Sequence, residues 1–374
     1  MSRLDELIKE LCPNGVEYVK LGDVAPPTRG VRVIRSQLAI GGEYPVYQNS
    51  MTPLGYYKDS NCHANTAFII SAGAAGEIGY STVNFWAADD CFYFVCPKNL
   101  KSRFLYYALM CQREYLLSKV RRASVPRLAR AVIDDLKIPL PPLPVQEEIV
   151  HILDNFTELA AELTAEFTAR KQQYRYYSTF LFDRAKMNGI RSIKEVCYIE
   201  KGKTPIQKAI PGEYPMVVTT TERKSCNSYQ FDTKAVCIPL VSSRGHGVAS
   251  LNHVYYQEGK FALGNILCAL ITKSETEVLP KYLFYYFEQT KDYTLVPLMK
   301  GGANVALHMN DIEKLKIPVP PLAEQQRIVD ILDRFDTLCN DISSGLPAEI
   351  KARQQQYEYY RDKLIAFPRA ELEV

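Results

Sequence analysis

The chain has 374 residues, of which 47% are hydrophobic and 23% charged, a composition typical of a soluble globular protein with two or three domains. No apolar stretch approaches the ~20 residues that a membrane span requires, and the ten scattered cysteines include no CxxC pair of the kind that binds zinc. Residues 1–11 form a short amphipathic pattern and not a signal peptide. We therefore expect a cytoplasmic protein with reduced cysteines.

The net charge of +3 is unevenly distributed along the chain. Residues 15–143 carry 15 basic against 10 acidic side chains, and residues 188–321 carry 16 against 12. Residues 144–187 (5 basic against 7 acidic) and residues 322–374 (7 against 10) are acidic. Basic side chains are thus concentrated in two segments, which favours a polyanionic partner for those segments.

The first basic segment follows a short N-terminal helix, 1–14, which Pro13-Asn14-Gly15 ends. It contains short runs of aromatic and β-branched residues, such as Tyr44–Tyr47, Ala67–Ile70 and Cys91–Val95. Gly, Asn and Pro separate these runs, which predicts a β-rich domain with many turns. Arg103–Met110 then has the pattern of a helix.

A long internal repeat organises the whole chain. Lys137-Ile-Pro-Leu-Pro-Pro-Leu-Pro-Val-Gln146 recurs as Lys316-Ile-Pro-Val-Pro-Pro-Leu-Ala-Glu-Gln325, and the matching continues to Phe156 and Phe335 at a constant offset of 179 residues. The helix at Arg103 also recurs, as Lys281-Tyr-Leu-Phe-Tyr-Tyr-Phe287. Because the segments between these matches diverge, the sequence predicts two copies of one fold with different surfaces.

Each repeat ends in a long helical pattern with a narrow apolar seam. A seam one side chain wide needs a partner helix, and each copy is the natural partner of the other. At about 1.5 Å per residue, a helix of roughly 40 residues spans about 60 Å. Gly345 and Pro347 predict a kink or break in the second helix. The seam positions are Ile149, Ile152, Phe156, Leu159, Leu163, Phe167, Tyr174, Tyr177 and Leu181 in the first copy, and Ile328, Ile331, Phe335, Leu338, Ile342, Leu346, Ile350, Tyr357, Tyr360, Leu364 and Phe367 in the second.

Two glycine-containing segments superficially match nucleotide-binding motifs. Gly202-Lys-Thr204 resembles the end of a P-loop, but Cys197 occupies the position of the required first glycine. Gly73–Gly79 has the wrong spacing for a dinucleotide fingerprint, so we interpret it as a tight loop between strands. No constellation of nucleophile, base or paired carboxylates stands out, and we expect no catalytic residue and no metal site in this chain.

Polar and basic residues cluster in the divergent loops of both halves. Such side chains contact phosphates and base edges in protein–DNA complexes. Each one alone can equally be a solvated surface residue, so the loop sets are stronger predictors than their members. The predicted DNA-binding residues are Arg29, Arg32, Arg35, Gln48, Asn49, Arg121, Arg122, Arg127, Lys201, Lys203, Thr204, Thr220, Arg223, Lys224, Ser243, Arg244, His246, Lys300 and Asn304.

The repeated motif at 138–156 and 317–335 resembles the specificity (S) subunits of type I restriction-modification systems. Arg170-Lys-Gln-Gln-Tyr-Arg-Tyr-Tyr177 and its counterpart Arg353-Gln-Gln-Gln-Tyr-Glu-Tyr-Tyr360 resemble the same family. The similarity extends over essentially the whole chain. Glu200-Lys-Gly-Lys-Thr-Pro205 looks like the usual start of a recognition domain in that family, whereas the first half differs from it at this point.

This resemblance implies an α+β fold in which two β-rich target-recognition domains are joined by two long antiparallel coiled-coil helices with pseudo-two-fold internal symmetry. The implied domains are residues 1–14, 15–143, 144–187, 188–321 and 322–374, the second and fourth being the recognition domains. Each recognition domain is then expected to read one half of a split, asymmetric site in double-stranded DNA. The helices are expected to fix the gap between the halves and to dock two modification (methyltransferase) subunits, together with restriction subunits where these exist.

The resemblance also implies that the chain is not an enzyme, because S-adenosylmethionine is bound by the modification subunit. An alternative is a protein–protein scaffold whose β-rich domains bind something other than DNA. Salt-sensitive binding of duplex DNA by the assembled complex separates these two hypotheses. A third alternative, a self-sufficient enzyme, has no supporting constellation of residues in the sequence.

Overall fold

The computed structural model forms two compact units. Unit 1 comprises residues 1–163 and 350–374, and unit 2 comprises residues 164–349. Within the described residues, no helix is both long enough and apolar enough to cross a membrane. The described residues are 2–38, 41–185, 189–244, 247–340 and 345–370.

Unit 1 begins with a capped helix and continues as a β-rich domain. The hydroxyl of Ser2 accepts a hydrogen bond from the Asp5 amide, and the Asp5 carboxylate accepts one from the Ser2 amide. This capping box satisfies two backbone donors that the helix itself leaves free. The elements are α1 Arg3–Leu11, β1 Tyr18–Lys20, α2 Leu21–Val24, β2 Pro27–Arg29, β3 Tyr44–Tyr47, β4 Tyr56–Tyr57, β5 Thr66–Ile70, β6 Ile78–Ser81, β7 Trp86–Ala87, β8 Cys91–Phe94, α3 Ser102–Cys111, α4 Arg113–Ser118, α5 Arg130–Asp134, β9 Lys137–Pro139 and α6 Leu143–Ala185, which continues into unit 2.

The domain of unit 1 contains a four-stranded sheet in the order β2-β8-β5-β6 and a three-stranded sheet in the order β4-β3-β7. All three predicted aromatic runs form strands, namely β3, β5 and β8. The predicted helix at Arg103 is α3, and its Phe104 and Tyr107 are fully buried in the core. Gly73–Gly79 includes the turn between β5 and β6, which confirms the tight loop.

Unit 2 repeats this plan with different loop lengths. It lacks a counterpart of α1 within its described residues, and it gains a two-residue edge strand, β14. Its elements after α6 are β10 Ile190–Ser192, α7 Ile193–Val196, β11 Cys197–Lys201, β12 Tyr214–Val217, β13 Lys224–Cys226, β14 Phe231–Asp232, β15 Ala235–Pro239, β16 Tyr255–Gln257, β17 Lys260–Leu263, β18 Leu267–Thr272, α8 Pro280–Thr294, α9 Met309–Glu313, β19 Lys316–Pro318, α10 Leu322–Asn340 and α11 Leu346–Ile365, of which the last continues into unit 1.

The two domains share one topology. The sheets of unit 2 have the orders β11-β18-β15-β16 and β13-β12-β17-β14, which match the unit 1 sheets strand for strand apart from β14. The proline-rich repeats also match: β9 pairs antiparallel with β1 through Pro139 and Tyr18, and β19 pairs antiparallel with β10 through Pro318 and Ile190. These two hairpins lead directly into α6 and α10. The prediction of two copies of one fold is therefore confirmed.

In unit 1 the start of α6 packs antiparallel against the end of α11. The ring of Phe156 stacks on Tyr360 with centroids 5.4 Å apart. Earlier in α6, Ile149 belongs to the same buried cluster as Ile365, which lies later in α11, and Leu364 packs against that cluster. Since this cluster also contains the domain core, the helix pair and the domain form one continuous hydrophobic interior.

Unit 2 contains the equivalent pairing between the end of α6 and the start of α10. Tyr177 stacks on Phe335, the counterpart of Phe156, at 6.4 Å between ring centroids. Leu181, further along α6, shares a buried cluster with Ile328, which lies earlier in α10. The direction is again antiparallel, so the predicted pairing of each copy's helix with the other copy is confirmed within each unit.

The second helical region is interrupted, as Gly345 and Pro347 predicted. Gly345 is not helical, and α11 begins at the next residue. Pro347 lies in the first turn of α11, where a missing amide hydrogen costs no helical hydrogen bond. The predicted seam residue Ile342 lies outside the described residues, whereas α6 is continuous for 43 residues.

Candidate nucleic-acid interface

Strand direction brings several loops of unit 2 to one edge. Strands β11 and β15 both pair antiparallel with β18, so they run parallel to each other and end at the same edge. Strand β17 ends at this edge as well, because a short connection joins it to the start of β18. Strand β12 runs parallel to β17. The segments after β11, β12 and β15 therefore meet at one place, which we call the strand-end edge of unit 2.

Backbone hydrogen bonds hold these loops together. The Asn265 amide donates to the Thr204 carbonyl at 2.9 Å, which joins the loop after β11 to the β17–β18 turn. The Gly264 amide in the same turn donates to Val217, at the end of β12. The Ser242 amide donates to the Val305 carbonyl at 3.0 Å. All four predicted loop sets of unit 2 are thus adjacent to this edge.

Unit 1 has the same arrangement. Strands β2 and β5 both pair antiparallel with β8, and β3 runs parallel to β7, so their carboxyl ends meet. The Ala74 amide donates to the Asn49 carbonyl at 2.9 Å, and the Leu128 amide donates to the Ser71 carbonyl at 2.8 Å. Arg29, Asn49 and Arg127 therefore lie at one strand-end edge of unit 1.

Most predicted DNA-binding side chains project into solvent. Gln48, Thr204 and Arg223 are partly buried, and His246 lies outside the described residues. Arg32 and Arg35 follow β2 in a segment that the Trp86 indole anchors by donating to the Val31 carbonyl at 2.7 Å. The exposed members are Arg29, Arg32, Arg35, Asn49, Arg121, Arg122, Arg127, Lys201, Lys203, Thr220, Lys224, Ser243, Arg244, Lys300 and Asn304.

Two of the predicted arginines also hold the protein backbone. Arg223 donates from Nε to Gln257 at 3.0 Å and from Nη2 to the Tyr256 carbonyl at 3.2 Å. Burial lowers the pKa of Arg223, whose guanidinium lies over the ring of Tyr255. Arg29 donates from Nε to the carbonyl of Asp89 at 2.8 Å. These contacts fix the loops that present the other polar side chains.

One small loop at the edge has the same construction in both units. Residues 121–127 are closed by an antiparallel bridge between Arg121 and Arg127, and residues 300–306 are closed by one between Lys300 and Ala306. The bridges lie 179 residues apart, so Arg121 and Lys300 occupy equivalent positions. Both edges thus place a cation at this point, while the neighbouring loops differ.

A second set of contacts, which the sequence pattern alone did not single out, lies where each domain meets its helix. Gln146 is fully buried; its side-chain amide donates to the carbonyls of Asn99 and Pro141 and accepts from the Lys101 amide, at 2.7–2.9 Å. Gln325 in unit 2 is fully buried and makes the equivalent bonds. The repeat of these glutamines at offset 179 was the available signal.

Two turns further along each helix, an aspartate binds the same domain helix. Asp154 accepts hydrogen bonds from Arg103 Nε at 2.7 Å and from the Tyr107 hydroxyl. The hydroxyl of Tyr107 stays protonated, because burial and then the hydrogen bond to Asp154 raise its pKa. Arg103 is also within cation–π distance of the ring of Tyr80, at 4.5 Å from its centroid.

The same group occurs in unit 2 with one substitution. Asp333 accepts from Lys281 Nζ at 2.7 Å and from the Tyr285 hydroxyl at 2.6 Å. Burial, followed by the hydrogen bond to Asp333, raises the pKa of Tyr285. Lysine thus replaces arginine, while the aspartate and tyrosine are unchanged.

The described residues contain no group of three or more His, Cys, Asp or Glu side chains placed to hold a metal ion. The nine described cysteines are free thiols, and burial raises the pKa of Cys62 to about 12. Gly202 follows strand β11 and is followed by no helix, so Gly202-Lys-Thr204 lacks the helix N-terminus of a P-loop. The chemistry available at both edges is hydrogen bonding and charge attraction toward a polyanion.

Comparison with known proteins agrees with this architecture. The family model described as "Type I restriction modification DNA specificity domain" matches twice, at residues 13–170 and 186–352. A type I restriction enzyme specificity subunit of Haemophilus influenzae is 32% identical, over 94% of this chain and 96% of the relative. The EcoR124I/EcoR124II specificity subunit of Escherichia coli is 34% identical, over 63% of this chain and 64% of the relative.

A solved structure supports the fold. The type I S subunit from M. genitalium has a TM-score of 0.62 at 16% identity, covering 94% of this chain and 96% of that one. A chain from a structure of type I restriction-modification complex assembly has a TM-score of 0.58 at 17% identity. The two family matches, the full-length relative and the duplicated domains lead to one conclusion: this chain belongs to the type I restriction-modification specificity subunits, which recognise DNA and are not themselves catalytic.

Proposed function

We propose that this chain reads a bipartite, asymmetric DNA site, with one domain for each half. The observation that carries this proposal is the presence of two strand-end edges with the same scaffold and different loops. The first edge presents Arg29, Asn49 and Arg127, and the second presents Lys201, Lys203 and Lys224. Because sequence is read by side chains in the grooves and not by the scaffold, different loops select different bases.

We further propose that residues 15–143 and 188–321 are the two recognition domains and that the helices set the gap between the half-sites. The 43-residue α6 is about 65 Å long at 1.5 Å per residue. Successive turns of DNA are about 34 Å apart, so a helix of this length is sufficient to hold readers on separate turns. The acidic helices leave the basic residues on the domains.

The helices also have features of a docking surface for two identical partners. Tyr176 and Tyr359 occupy equivalent positions in the two repeats and are 69% and 61% exposed. Leu159 and Leu338 are likewise equivalent, and each is 37% exposed. Apolar side chains exposed at matched positions support two copies of one partner, the modification subunit, which would bind S-adenosylmethionine and supply the methyl transfer. Restriction subunits would join this assembly where the host has them.

The experiment that tests this function is methylation of a randomised DNA library. The purified chain, reconstituted with its modification subunit and S-adenosylmethionine, is expected to methylate adenine only in sites that share two separated sequence blocks. Sequencing of the methylated fraction measures both blocks and the gap. The modification subunit without this chain is the control. Equal methylation of every sequence contradicts the proposal.

The equivalent cations Arg121 and Lys300 are expected to contact phosphates. Removing either one should weaken binding of all duplexes and lower the slope of log K against log salt concentration by about 1, because one fewer counterion is released. Fluorescence anisotropy of the assembled complex at several salt concentrations measures this slope for Arg121→Ala and Lys300→Ala.

Lys9→Ala is the matched control for these two variants. Lys9 is an exposed lysine on α1, so its removal changes the net charge equally without touching either edge. The control should keep the wild-type slope. A slope that is unchanged in Arg121→Ala and Lys300→Ala would place phosphate contacts elsewhere on the domains.

A further inference from the structure

Each domain is attached to its helix at two points. In unit 1, Gln146 binds the backbone at Asn99 and Lys101, and Asp154 binds the side chains of Arg103 and Tyr107. The two attachment points are eight residues apart on α6, which is about 12 Å along its axis. Both reach one short stretch of the domain, at and just before the start of α3.

Two attachment points have a consequence that one does not. A single point fixes where a domain meets a helix but lets the domain rotate about that point. A second point on the same helix removes this rotation, because both ends of the contacting segment are then held. The Asp154 group is suited to this role, since a carboxylate with two donors, one of them charged, makes strong and directional hydrogen bonds.

Unit 2 repeats the attachment exactly where the repeat predicts it. Gln325 binds the backbone at Glu277 and Leu279, and Asp333 binds Lys281 and Tyr285. The domain loops around these contacts diverge between the units, yet both attachment points are kept. A requirement on the domain's direction accounts for this, because the hydrophobic interior alone would hold the domain to the helix.

We propose that Asp154 and Asp333 are positioning residues for gap selection: each holds its recognition domain at a fixed angle to the spacing helix and so restricts the number of base pairs between the half-sites. This inference rests on the proposed bipartite function. Neither aspartate touches the strand-end edge residues, so the bases read in each half-site are set independently. Loss of the aspartate leaves the domain attached through its glutamine but free to rotate.

The test uses the full chain in complex with its modification subunit. A DNA library keeps both half-sites constant and varies the gap one base pair at a time. For Asp154→Ala, the ratio of methylation at the preferred gap to that at the adjacent gaps is expected to fall about tenfold, equivalent to about 1.4 kcal/mol. The bases preferred in each half-site, measured with a second library, should not change.

Three further variants separate positioning from general stability. Glu158→Ala removes an exposed acid one turn beyond Asp154 and should keep the wild-type ratio. Arg103→Lys should also keep it, because unit 2 uses lysine at the equivalent position. Tyr107→Phe removes one hydrogen bond while the buried ring remains, so it should lower the ratio by a smaller factor even if Asp154→Ala folds poorly.

Because the ratio compares two gaps in one sample, it does not depend on how much complex is folded. Reduced total methylation with an unchanged ratio in Asp154→Ala and Tyr107→Phe would overturn the positioning role and leave a structural one. Loss of the half-site preference in those variants would also overturn it. A wild-type complex without two sequence blocks would instead overturn the proposed function, which the first library reveals separately.

Discussion

Replacing residues 15–143 with a second copy of residues 188–321 is expected to change one half of the recognised site and leave the other half unaltered. The replaced half should then match the sequence that the second domain reads. The graft is physically reasonable because β1–β9 and β10–β19 have the same antiparallel pairing and both lead into a helix. Methylation of a randomised library by the reconstituted complex measures both halves at once.

Grafting an unrelated recognition domain at the same boundaries is the matched control. It should also change only one half, to a sequence different from either wild-type half. Both grafts keep α6 intact, so the gap should stay within about one base pair of the wild-type value. If both halves changed in either graft, the model of two independent readers would be wrong.

Inserting four residues after Leu163 is expected to lengthen the gap by about one to two base pairs and to leave both half-sites unchanged. Four residues add about 6 Å to a helix, and base pairs are about 3.4 Å apart along DNA. They also add about one helical turn, so side chains beyond the insertion keep nearly the same facing. The pairing of α6 with α11 lies before this point and its pairing with α10 lies after it, so neither seam changes register.

A four-residue insertion at Gly259 is the control for added length alone. Gly259 has a φ of +78° in the turn between β16 and β17, and no atom lies within 4 Å of the position of a Cβ there. This turn follows the carboxyl end of β16, which runs antiparallel to β15, so it lies opposite the strand-end edge. The control should methylate the wild-type site and gap. An unaltered gap after insertion at Leu163 would exclude the helices as the spacing element.

The sequence determined the organisation of this protein to a large extent. A constant offset of 179 residues between matched motifs predicted two copies of one fold, and the narrow apolar seams predicted that the helices pair. Both predictions depend on patterns of residue type that persist along the chain, which is why they can be recognised without coordinates. The break at Gly345 follows from local backbone chemistry in the same way.

The candidate interface was predicted only as a set of loops. Membership in the strand-end edges depends on strand direction and sheet order, which bring together residues as distant as Arg29 and Arg127 or Lys203 and Lys300. Side-chain patterns along a strand indicate which face is buried, but they do not specify which strands are neighbours. The partial burial of Arg223 has the same origin, because its partners Tyr256 and Gln257 come from a later strand.

The attachment of each domain to its helix was decided by the tertiary structure alone. Gln146 and Asp154 appear in the sequence as two polar residues of an amphipathic helix, where the usual expectation is a solvated face. Only the fold shows that Gln146 is fully buried and that Asp154 meets Arg103 and Tyr107 from a helix some 50 residues earlier. The repeat thus specified which residues recur, whereas long-range packing decided what they bind, because hydrogen-bond partners far apart in sequence are fixed by the complete fold.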